Sequence, residues 1–455
     1  MNLHTMSGRG FLLTFALFLG LFCGSIVVGF FFGPPVIITT SQTANLALNW
    51  TGAITDLSPL HQQLILTMYI HKEVFQYNID VKEKLTLSIS VDGSQDGHSW
   101  IPLESQLVHS KDIQCDAGKE ICDGVIIAYE PHIKWGSYRY KVDVVSFEGP
   151  VAFVSNTTFS FSYVNDSFTL FELWCRFGYL FCSFLVLVNF IFKLRNYNWR
   201  DWSVEQKWTC VLLFGTFAFN DPFCGLSILI SGWFPVLLDV ILFGSFLVLL
   251  LFFWLVMFDG MRQEDTKHSF VRFYLPKFLI IGLIWVSLVV GSTLFALKEL
   301  DDPAAIIEVQ GYIIFFQSAM FLLLIGYSFW LVYLVFRACG MINTMPFLNV
   351  RLKFFGLFTL FVFMVTTTGI LFGIFSPLPV NAAQFVAFLS LLNFYVYTLS
   401  FVYLPSGGLL NEDMSQRIGV TALENDEDDF PLQDKSEPEG IPVTYDEKLE
   451  DLDEH

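Results

Sequence analysis

Charged and amide side chains interrupt the long apolar runs of this chain, where few chemical roles are open to them. A charge at the centre of a bilayer costs about 2.5–3.5 kcal/mol on insertion scales, so such groups normally face protein or enclosed water. Together they could form hydrogen bonds and ion pairs with a ligand. The set comprises Glu172, Arg176, Asn220, Asp221, Asp239, Gln317 and Gln384.

Two interpretations of this set are open. In the first, it lines a polar, outward-opening ligand cavity in which Arg176 is the counter-ion of Asp221 or Asp239. Glu172 and Arg176 also have the four-residue spacing of a helical ion pair, and Pro222 predicts a helix kink beside the cavity. In the second, these residues only cap and kink helices, and Arg176 extends its long side chain to the membrane surface.

The elements that position these residues are membrane-spanning helices. The chain has 455 residues, 54% of them hydrophobic, and a mean hydropathy of +0.56, as in a polytopic membrane protein. Residues 11–32 predict a signal-anchor helix, with cleavage as the alternative. Seven further apolar runs predict a helical bundle over 169–404; they lie at roughly 170–192, 208–231, 233–258, 274–297, 311–336, 354–375 and 382–404.

Basic residues concentrate in alternate loops and so orient the spans. By the positive-inside rule, residues 1–10 and the tail 405–455 are cytosolic, and 33–168 are luminal or extracellular. Three glycosylation sequons fall in that outside segment, which supports the same orientation. The predicted acceptors are Asn49, Asn156 and Asn165.

Period-two alternation over 33–168 predicts an all-β sandwich. KLTLSISVDG from Lys84, YRYKVDV from Tyr138 and TFSFSYV from Thr158 alternate apolar and polar residues, and LILTMYI and GVIIAYE are two more candidate strands. Cys115 and Cys122 lie close in this segment, and either a disulfide or two free thiols fits their spacing. A β module of this kind either binds protein or caps the bundle.

The C-terminal tail is acidic. Residues 411–455 contain sixteen Asp or Glu and three Lys or Arg, which disfavours nucleic acid and anionic lipid as partners of the tail. A disordered, solvated tail is one interpretation. The other is an acidic sorting signal that binds cytosolic adaptors, with Ser436 as a candidate phosphorylation site.

Motifs for catalysis and cofactors are missing from the sequence. It has no H-E-x-x-H, P-loop or paired Gly-Asp protease motif, and its eight His residues lie outside the spans. We therefore expect no enzyme activity, no cofactor, no metal site and no nucleic-acid partner.

Motifs in the later spans resemble a known family. RLKFFGLFTL from Arg351, LNFYVYTLSFVYLPSG from Leu392, WSVEQKWTCVLL and FNDPF resemble the Wntless-related seven-pass family with a Golgi-dynamics-like luminal domain, closest to its transmembrane protein 181 branch. Within the second motif, Asn393 and Tyr395 are among the matching residues. The resemblance covers about residues 170–407 at the motif level, and the luminal segment only in architecture.

The resemblance implies a non-enzymatic carrier or receptor that binds a luminal or extracellular protein or lipidated ligand within membrane lipid. It also implies cycling between Golgi, endosomes and the plasma membrane. Two alternatives fit the topology. One is a G-protein-coupled-like receptor, although FDGMRQ from Phe258 replaces the expected Asp-Arg-Tyr signature. The other is a channel or transporter that uses the bundle cavity, although no inverted repeats are evident.

Overall fold

Nine stretches of the chain are described by the computed structural model, and they form two parts, a β-sandwich and a helical bundle. The described residues are 8–45, 49–72, 81–147, 154–230, 233–260, 270–301, 311–340, 349–371 and 379–405. The acidic tail and Ser436 lie outside them.

Among the described residues, eight antiparallel strands form the sandwich, which confirms the predicted all-β domain. The strands are β1 Ile37–Asn45, β2 Asn49–Ile54, β3 Leu64–Lys72, β4 Val81–Ser94, β5 Ile101–Cys115, β6 Val125–Glu130, β7 Ser137–Phe147 and β8 Val154–Val164. They pair in two four-stranded sheets, in the orders β1-β8-β3-β6 and β2-β7-β4-β5. All five strands predicted from alternation are present, and β1, β2 and β5 are additional.

The core of the sandwich lies between the two sheets, where the alternating apolar side chains meet. Leu85, Leu87, Ile89 and Val91 of β4 are all buried. Across the interface, the Trp50 and Phe159 rings stack with their centroids 3.8 Å apart. Cys115 and Cys122 are joined by a disulfide.

In the described part of the chain, the bundle has eight long helices and one short one. They are α1 Gly8–Phe32, α2 Asp166–Leu194, α3 Val204–Phe219, the short α4 Cys224–Leu229, α5 Trp233–Gly260, α6 Phe270–Asp301, α7 Gly311–Gly340, α8 Asn349–Leu371 and α9 Ala382–Tyr403. Among the described residues, seven segments are long and apolar enough to cross a membrane, one of them being α1. The apolar stretch of α8, Phe355–Gly369, is shorter.

Helix α1 packs inside the bundle against α9. Its Phe18 ring is buried and contacts Phe358 edge-on at 4.8 Å, and the Ser25 hydroxyl donates to Ser390 Oγ at 2.7 Å. A Cβ at Gly29 would lie 2.9 Å from the Ala383 Cα, so only glycine permits this close approach.

Both covalent connections between the sandwich and the bundle lie at one junction. The Asn165 backbone N–H donates to the Val36 carbonyl at 2.9 Å, so the strand that follows α1 meets the start of α2. A single 3-10 turn, Pro59–His61, also reaches from the sandwich to α2 and α4. The sandwich is therefore held against one end of the bundle.

The helix kink that was predicted at Pro222 is wrong, because the helix ends there instead of bending. Helix α3 ends at Phe219, residues 220–223 form a turn, and α4 starts at Cys224. Asp221 has a φ of 48°, in the left-handed region, and its carboxylate accepts a hydrogen bond from the Phe223 N–H at 3.0 Å. Proline cannot supply the donor that would continue the helix, so the Asp221 side chain closes the break.

Candidate functional site

Four charged side chains meet in the bundle near the sandwich, and we call them the charged cluster: Glu172, Arg176, Asp221 and Asp239. Arg176 and Glu172, on neighbouring turns of α2, form an ion pair with a closest approach of 2.9 Å. Asp239, on α5, and Asp221, at the break after α3, both interact electrostatically with the Arg176 guanidinium. Three carboxylates thus surround one cation, which leaves an excess of two negative charges when all are ionised.

Asp239 has the most exposed surface of the charged cluster, although neighbouring groups still surround its carboxyl. Its side chain is exposed, and no hydrogen bond or ion pair to it is formed among the described residues. Asp221 is 6% exposed, and one of its carboxylate oxygens is used by the Phe223 N–H. The charged cluster therefore has one closed edge at the helix break and one open edge at Asp239.

The sandwich covers the charged cluster through the segment around the 3-10 turn. The Gln62 amide donates to Glu172 Oε2 at 3.4 Å and to the Thr169 hydroxyl at 3.1 Å. Thr169 in turn donates to the Leu60 carbonyl at 2.6 Å. Both parts of the chain thus contribute to one site.

Backbone strain accompanies the site. Asp56, Gln62 and Asp221 are the non-glycine residues with positive φ in the described part of the chain. Gln62, at a φ of 54°, contacts the charged cluster, and Asp221 belongs to it. Such conformations cost about 1–3 kcal/mol each and concentrate at ligand sites and switches, which favours a binding role over a purely structural one.

A second polar site lies directly beside the first and has a different character. We call it the amide network: Ser183, Asn220, Asn393 and Tyr397. The two Asn side chains exchange a pair of amide hydrogen bonds, each 2.8 Å long. The Asn220 amide also donates to Ser183 Oγ at 2.8 Å, and the Tyr397 hydroxyl donates to the Tyr179 carbonyl at 3.0 Å. Both Asn side chains are fully buried and Tyr397 is half-buried, so this network joins α2, α3 and α9 with its amides enclosed.

Comparison with known proteins identifies the lineage of this bundle. The family model of the Wntless-like transmembrane domain matches residues 165–407. Human Transmembrane protein 181 is similar to this chain, with 33% identity over 94% of this chain and 92% of its own length. The chain belongs to the Wntless-like family. The charged cluster and the amide network both lie inside the matched region, and the similarity to the human protein extends over the sandwich as well.

Two residues of the Wntless-like motif in α9 lie at the centre of buried hydrogen-bond networks. Asn393 belongs to the amide network. Tyr395 accepts a hydrogen bond from Trp254 Nε1 at 2.8 Å and contacts the Thr359 hydroxyl at 3.0 Å. The first network joins α9 to α2 and α3, and the second joins it to α5 and α8. The motif residues of α9 thus bind the helices of the Wntless-like bundle together.

The structure separates the residues that the sequence grouped into one cavity. Asn220 was predicted to line the cavity, but it is enclosed in the amide network, because the helix break turns Asn220 and Asp221 to different sides. The ion pair that helical spacing predicted between Glu172 and Arg176 is formed. The predicted pairing of Arg176 with Asp221 or Asp239 is not, because its interaction with those two carboxylates is longer-ranged.

Gln384 does not join the charged cluster by any hydrogen bond among the described residues. Gln384 lies in the first turn of α9, where its Oε1 accepts from the Val380 N–H at 2.9 Å. Gln317 lies in α7, and its side chain is outside the described residues. Sequence reasoning missed Gln62 and Thr169, whose contact with the cluster depends on the docking of the sandwich.

The predicted glycosylation acceptors differ in accessibility. Asn49 on β2 and Asn156 on β8 have exposed side chains. Asn165 is 7% exposed, its amide donates to the Pro35 carbonyl at 3.0 Å, and its Oδ1 caps α2 through the Ser167 N–H. A glycan at Asn165 would have to break the junction between sandwich and bundle, so the prediction for this sequon is corrected.

Proposed function

We propose that this Wntless-like protein is a non-enzymatic membrane carrier or receptor for a luminal or extracellular protein or lipid ligand, which binds at the charged cluster beneath the sandwich. The observation that carries the proposal is Asp239, an exposed carboxylate at membrane depth that forms no hydrogen bond or ion pair in the described residues and interacts with Arg176 only at longer range. A carboxylate is stable at that depth when water or a ligand supplies its counter-charge.

The charge of the cluster specifies part of the ligand's chemistry. Three carboxylates around one guanidinium favour a cationic group, such as an amine, over an anion. The apolar helix faces around the cluster can accept the hydrocarbon part of the same ligand. Gln62 links the ligand site to the sandwich, so binding can be sensed by both parts of the chain.

Co-purification tests this proposal. The full chain is purified in mild detergent, and retained lipids and proteins are identified by mass spectrometry for the wild type, Asp239→Asn and Arg176→Ala. Asp143→Asn is a matched control, because Asp143 is an exposed carboxylate on β7 outside the cluster. We expect a specific ligand in the wild type and the control that is reduced at least tenfold in Asp239→Asn. Arg176→Ala leaves three carboxylates without their cation and should retain a cationic ligand at least as well as the wild type.

Two results would count against a carrier or receptor that uses the cluster. One is bulk lipid alone, equal in all four proteins. The other is ion flux through reconstituted protein that depends on Asp239 and Arg176, which would favour the channel alternative. Activation of a G protein that depends on ligand would instead favour the alternative of a G-protein-coupled-like receptor.

We further propose that this carrier cycles among Golgi, endosomes and the plasma membrane, with adaptors bound to the acidic tail on the cytosolic side. The support is the high acidic content of residues 411–455. Deletion of 411–455 should shift the steady-state distribution of a tagged chain between these compartments in imaging. An unchanged distribution would remove the sorting role of the tail and leave the ligand site untouched.

A further inference from the structure

The connection between α2 and α3 carries a group of basic and aromatic side chains at the end of the bundle opposite the sandwich. Helix α2 starts directly after β8 and runs away from the sandwich to Leu194, and α3 returns from Val204. We call this group the basic-aromatic corner: Phe192, Lys193, Arg195, Trp199, Arg200 and Lys207.

The cations of the corner have no carboxylate partners. Among the described residues, none of Lys193, Arg195, Arg200 and Lys207 forms an ion pair, although Asp201 and Glu205 are close in sequence. Lys277, at the same end of the bundle, behaves differently, because its ammonium donates to Asp259 Oδ2 at 2.5 Å. Four basic side chains against two acidic ones, Asp201 and Glu205, leave the connection with an excess of two positive charges, and no ion pair in the described chain neutralises its cations.

Aromatic rings accompany these cations. Trp199 is 59% exposed and Phe192 is 67% exposed. The Lys207 ammonium lies 5.8 Å from the Trp199 ring centroid, and the Arg195 guanidinium lies 6.0 Å from that of Phe192. Exposed Trp next to Lys and Arg is the composition of a membrane–water interface, where the indole lies among lipid headgroups.

The corner is held in a fixed shape. The Trp202 indole N–H donates to the Tyr197 carbonyl at 3.3 Å, and its ring packs against Trp199 at 4.7 Å. Ser203 and Gln206 form a capping box at the start of α3. Gln206 also donates to the Tyr403 carbonyl of α9 at 3.1 Å. A surface ordered in advance loses little conformational entropy on binding.

We propose that the basic-aromatic corner binds anionic phospholipid headgroups of the leaflet opposite the sandwich. Lipid phosphate and carboxylate groups supply the missing counter-charges, and Trp199 anchors the corner at headgroup depth. The corner adjoins the ends of two spanning helices, so a bilayer surface reaches it without any further movement of the chain. This site is separate from the charged cluster and does not depend on the function proposed above.

Lipid competition tests the proposal on the full chain. The protein is reconstituted in nanodiscs of mixed phosphatidylserine and phosphatidylcholine, released gently, and analysed by native mass spectrometry for the ratio of retained lipids. The test variant is Arg195→Gln/Arg200→Gln/Lys207→Gln. The matched control is Lys84→Gln/Lys119→Gln/Lys134→Gln, which removes the same charge from exposed positions on the sandwich.

We expect the wild type to retain phosphatidylserine preferentially. Each basic residue near an anionic surface changes binding about fivefold, so the preference of the test variant should fall more than tenfold. The control should stay within about twofold of the wild type, and added salt should weaken the wild-type preference. Unfolding temperatures of all three proteins show whether the variants remain folded.

Three outcomes would overturn the proposal: a wild type without headgroup preference, equal losses in the test and control variants, or competition by free glycerophosphoserine as strong as that by the lipid. The last result would assign the corner to a soluble anion instead of a bilayer. Trp199→Ala is a second, independent test variant. It should weaken the retention of phosphatidylserine without changing the net charge of the protein.

Discussion

Asn220 and Asp221 are adjacent in sequence, yet they belong to two different polar sites. The sites differ in how many of their polar groups have hydrogen-bond or ion-pair partners. In the amide network, the buried side chains of Ser183, Asn220 and Asn393 form hydrogen bonds with one another and with the half-buried Tyr397 at 2.7–3.2 Å. In the charged cluster, Asp239 is exposed and forms no hydrogen bond or ion pair in the described residues. A satisfied polar group in a membrane stabilises the fold, whereas an unsatisfied charge there costs stability and points to function.

Breaking the amide network should give the largest loss of stability. Asn393→Leu leaves the Asn220 amide buried without its main partner, at a cost of about 1–3 kcal/mol in unfolding free energy. Thermal unfolding in detergent measures the loss, and ligand binding by the remaining folded protein should be retained.

Two further variants control for the substitution itself. Asn198→Leu makes the same change at an exposed position and should have little effect. The double variant Asn220→Leu/Asn393→Leu removes both amides and should recover part of the loss. If Asn393→Leu unfolded at the same temperature as the wild type, the amide network would not stabilise the fold.

The second effect concerns Arg176, the cation of the charged cluster. Arg176→Gln leaves Glu172 without its ion-pair partner and three carboxylates without compensation. Because each side chain of the pair is 21% exposed, we expect a loss between that of surface and buried pairs, about 1–2 kcal/mol. Arg176→Lys keeps the charge and should lose less. The double variant Glu172→Gln/Arg176→Gln should recover part of the unfolding free energy that Arg176→Gln loses. A double variant that recovered none of it would contradict the pairing.

An ion cluster in the sandwich, outside the membrane, can be compared with the charged cluster in the bundle. Asp92 of β4 bonds to Arg139 at 2.8 Å and to Lys141 at 3.0 Å. Burial raises the pKa of this carboxyl, but the hydrogen bonds and charges of Lys141 and Arg139 outweigh burial and hold the pKa below its ordinary value of 3.8. A carboxyl with a lowered pKa stabilises the fold above its unfolded-state pKa, and this contribution is lost as the pH falls through the folded-state pKa.

Asp92→Asn should therefore cost about 0.5–1 kcal/mol near neutral pH and make the sandwich less sensitive to acid. Hydrogen exchange of β7 in the full chain, followed from neutral pH to below pH 4, measures both changes. An Asp92→Asn protein that kept the wild-type acid sensitivity would show that other carboxyls govern it. Asp143→Asn on the same strand pair is the control, since Asp143 forms no ion pair among the described residues.

Patterns along the sequence predicted the elements well, because each element leaves a local periodic signal. Period two in KLTLSISVDG predicted β4, and long apolar runs predicted the helices. Strand β5, Ile101–Cys115, was missed because its sequence IPLESQLVHSKDIQC does not alternate cleanly and because it lies at a sheet edge, where one face needs less apolar content.

The sequence predicted some of the residues of the site. It did not predict that they divide between the charged cluster and the amide network. Glu172 and Arg176 follow from helical spacing. The separation of Asn220 from Asp221 follows from the left-handed φ of Asp221, which the sequence signals only through the proline after it. Gln62 reaches Glu172 across 110 residues, and Asn220 reaches Asn393 across 173, so their partners depend on tertiary packing.

The smallest stability effect, and the most informative one, is expected at Asp239. Asp239→Asn removes a charge that forms no hydrogen bond or ion pair in the described residues, so the unfolding free energy should fall by less than about 0.5 kcal/mol, and relief of the charge can raise it. Asp259 offers a matched control on the same helix, because its carboxylate pairs with Lys277. Asp259→Asn leaves a buried ammonium without that partner and should cost clearly more, about 1–3 kcal/mol. Equal losses in the two variants would mean that Asp239 is a structural residue after all. A stable Asp239→Asn protein that no longer retains its ligand would instead separate the binding role of the charged cluster from the fold that the amide network stabilises.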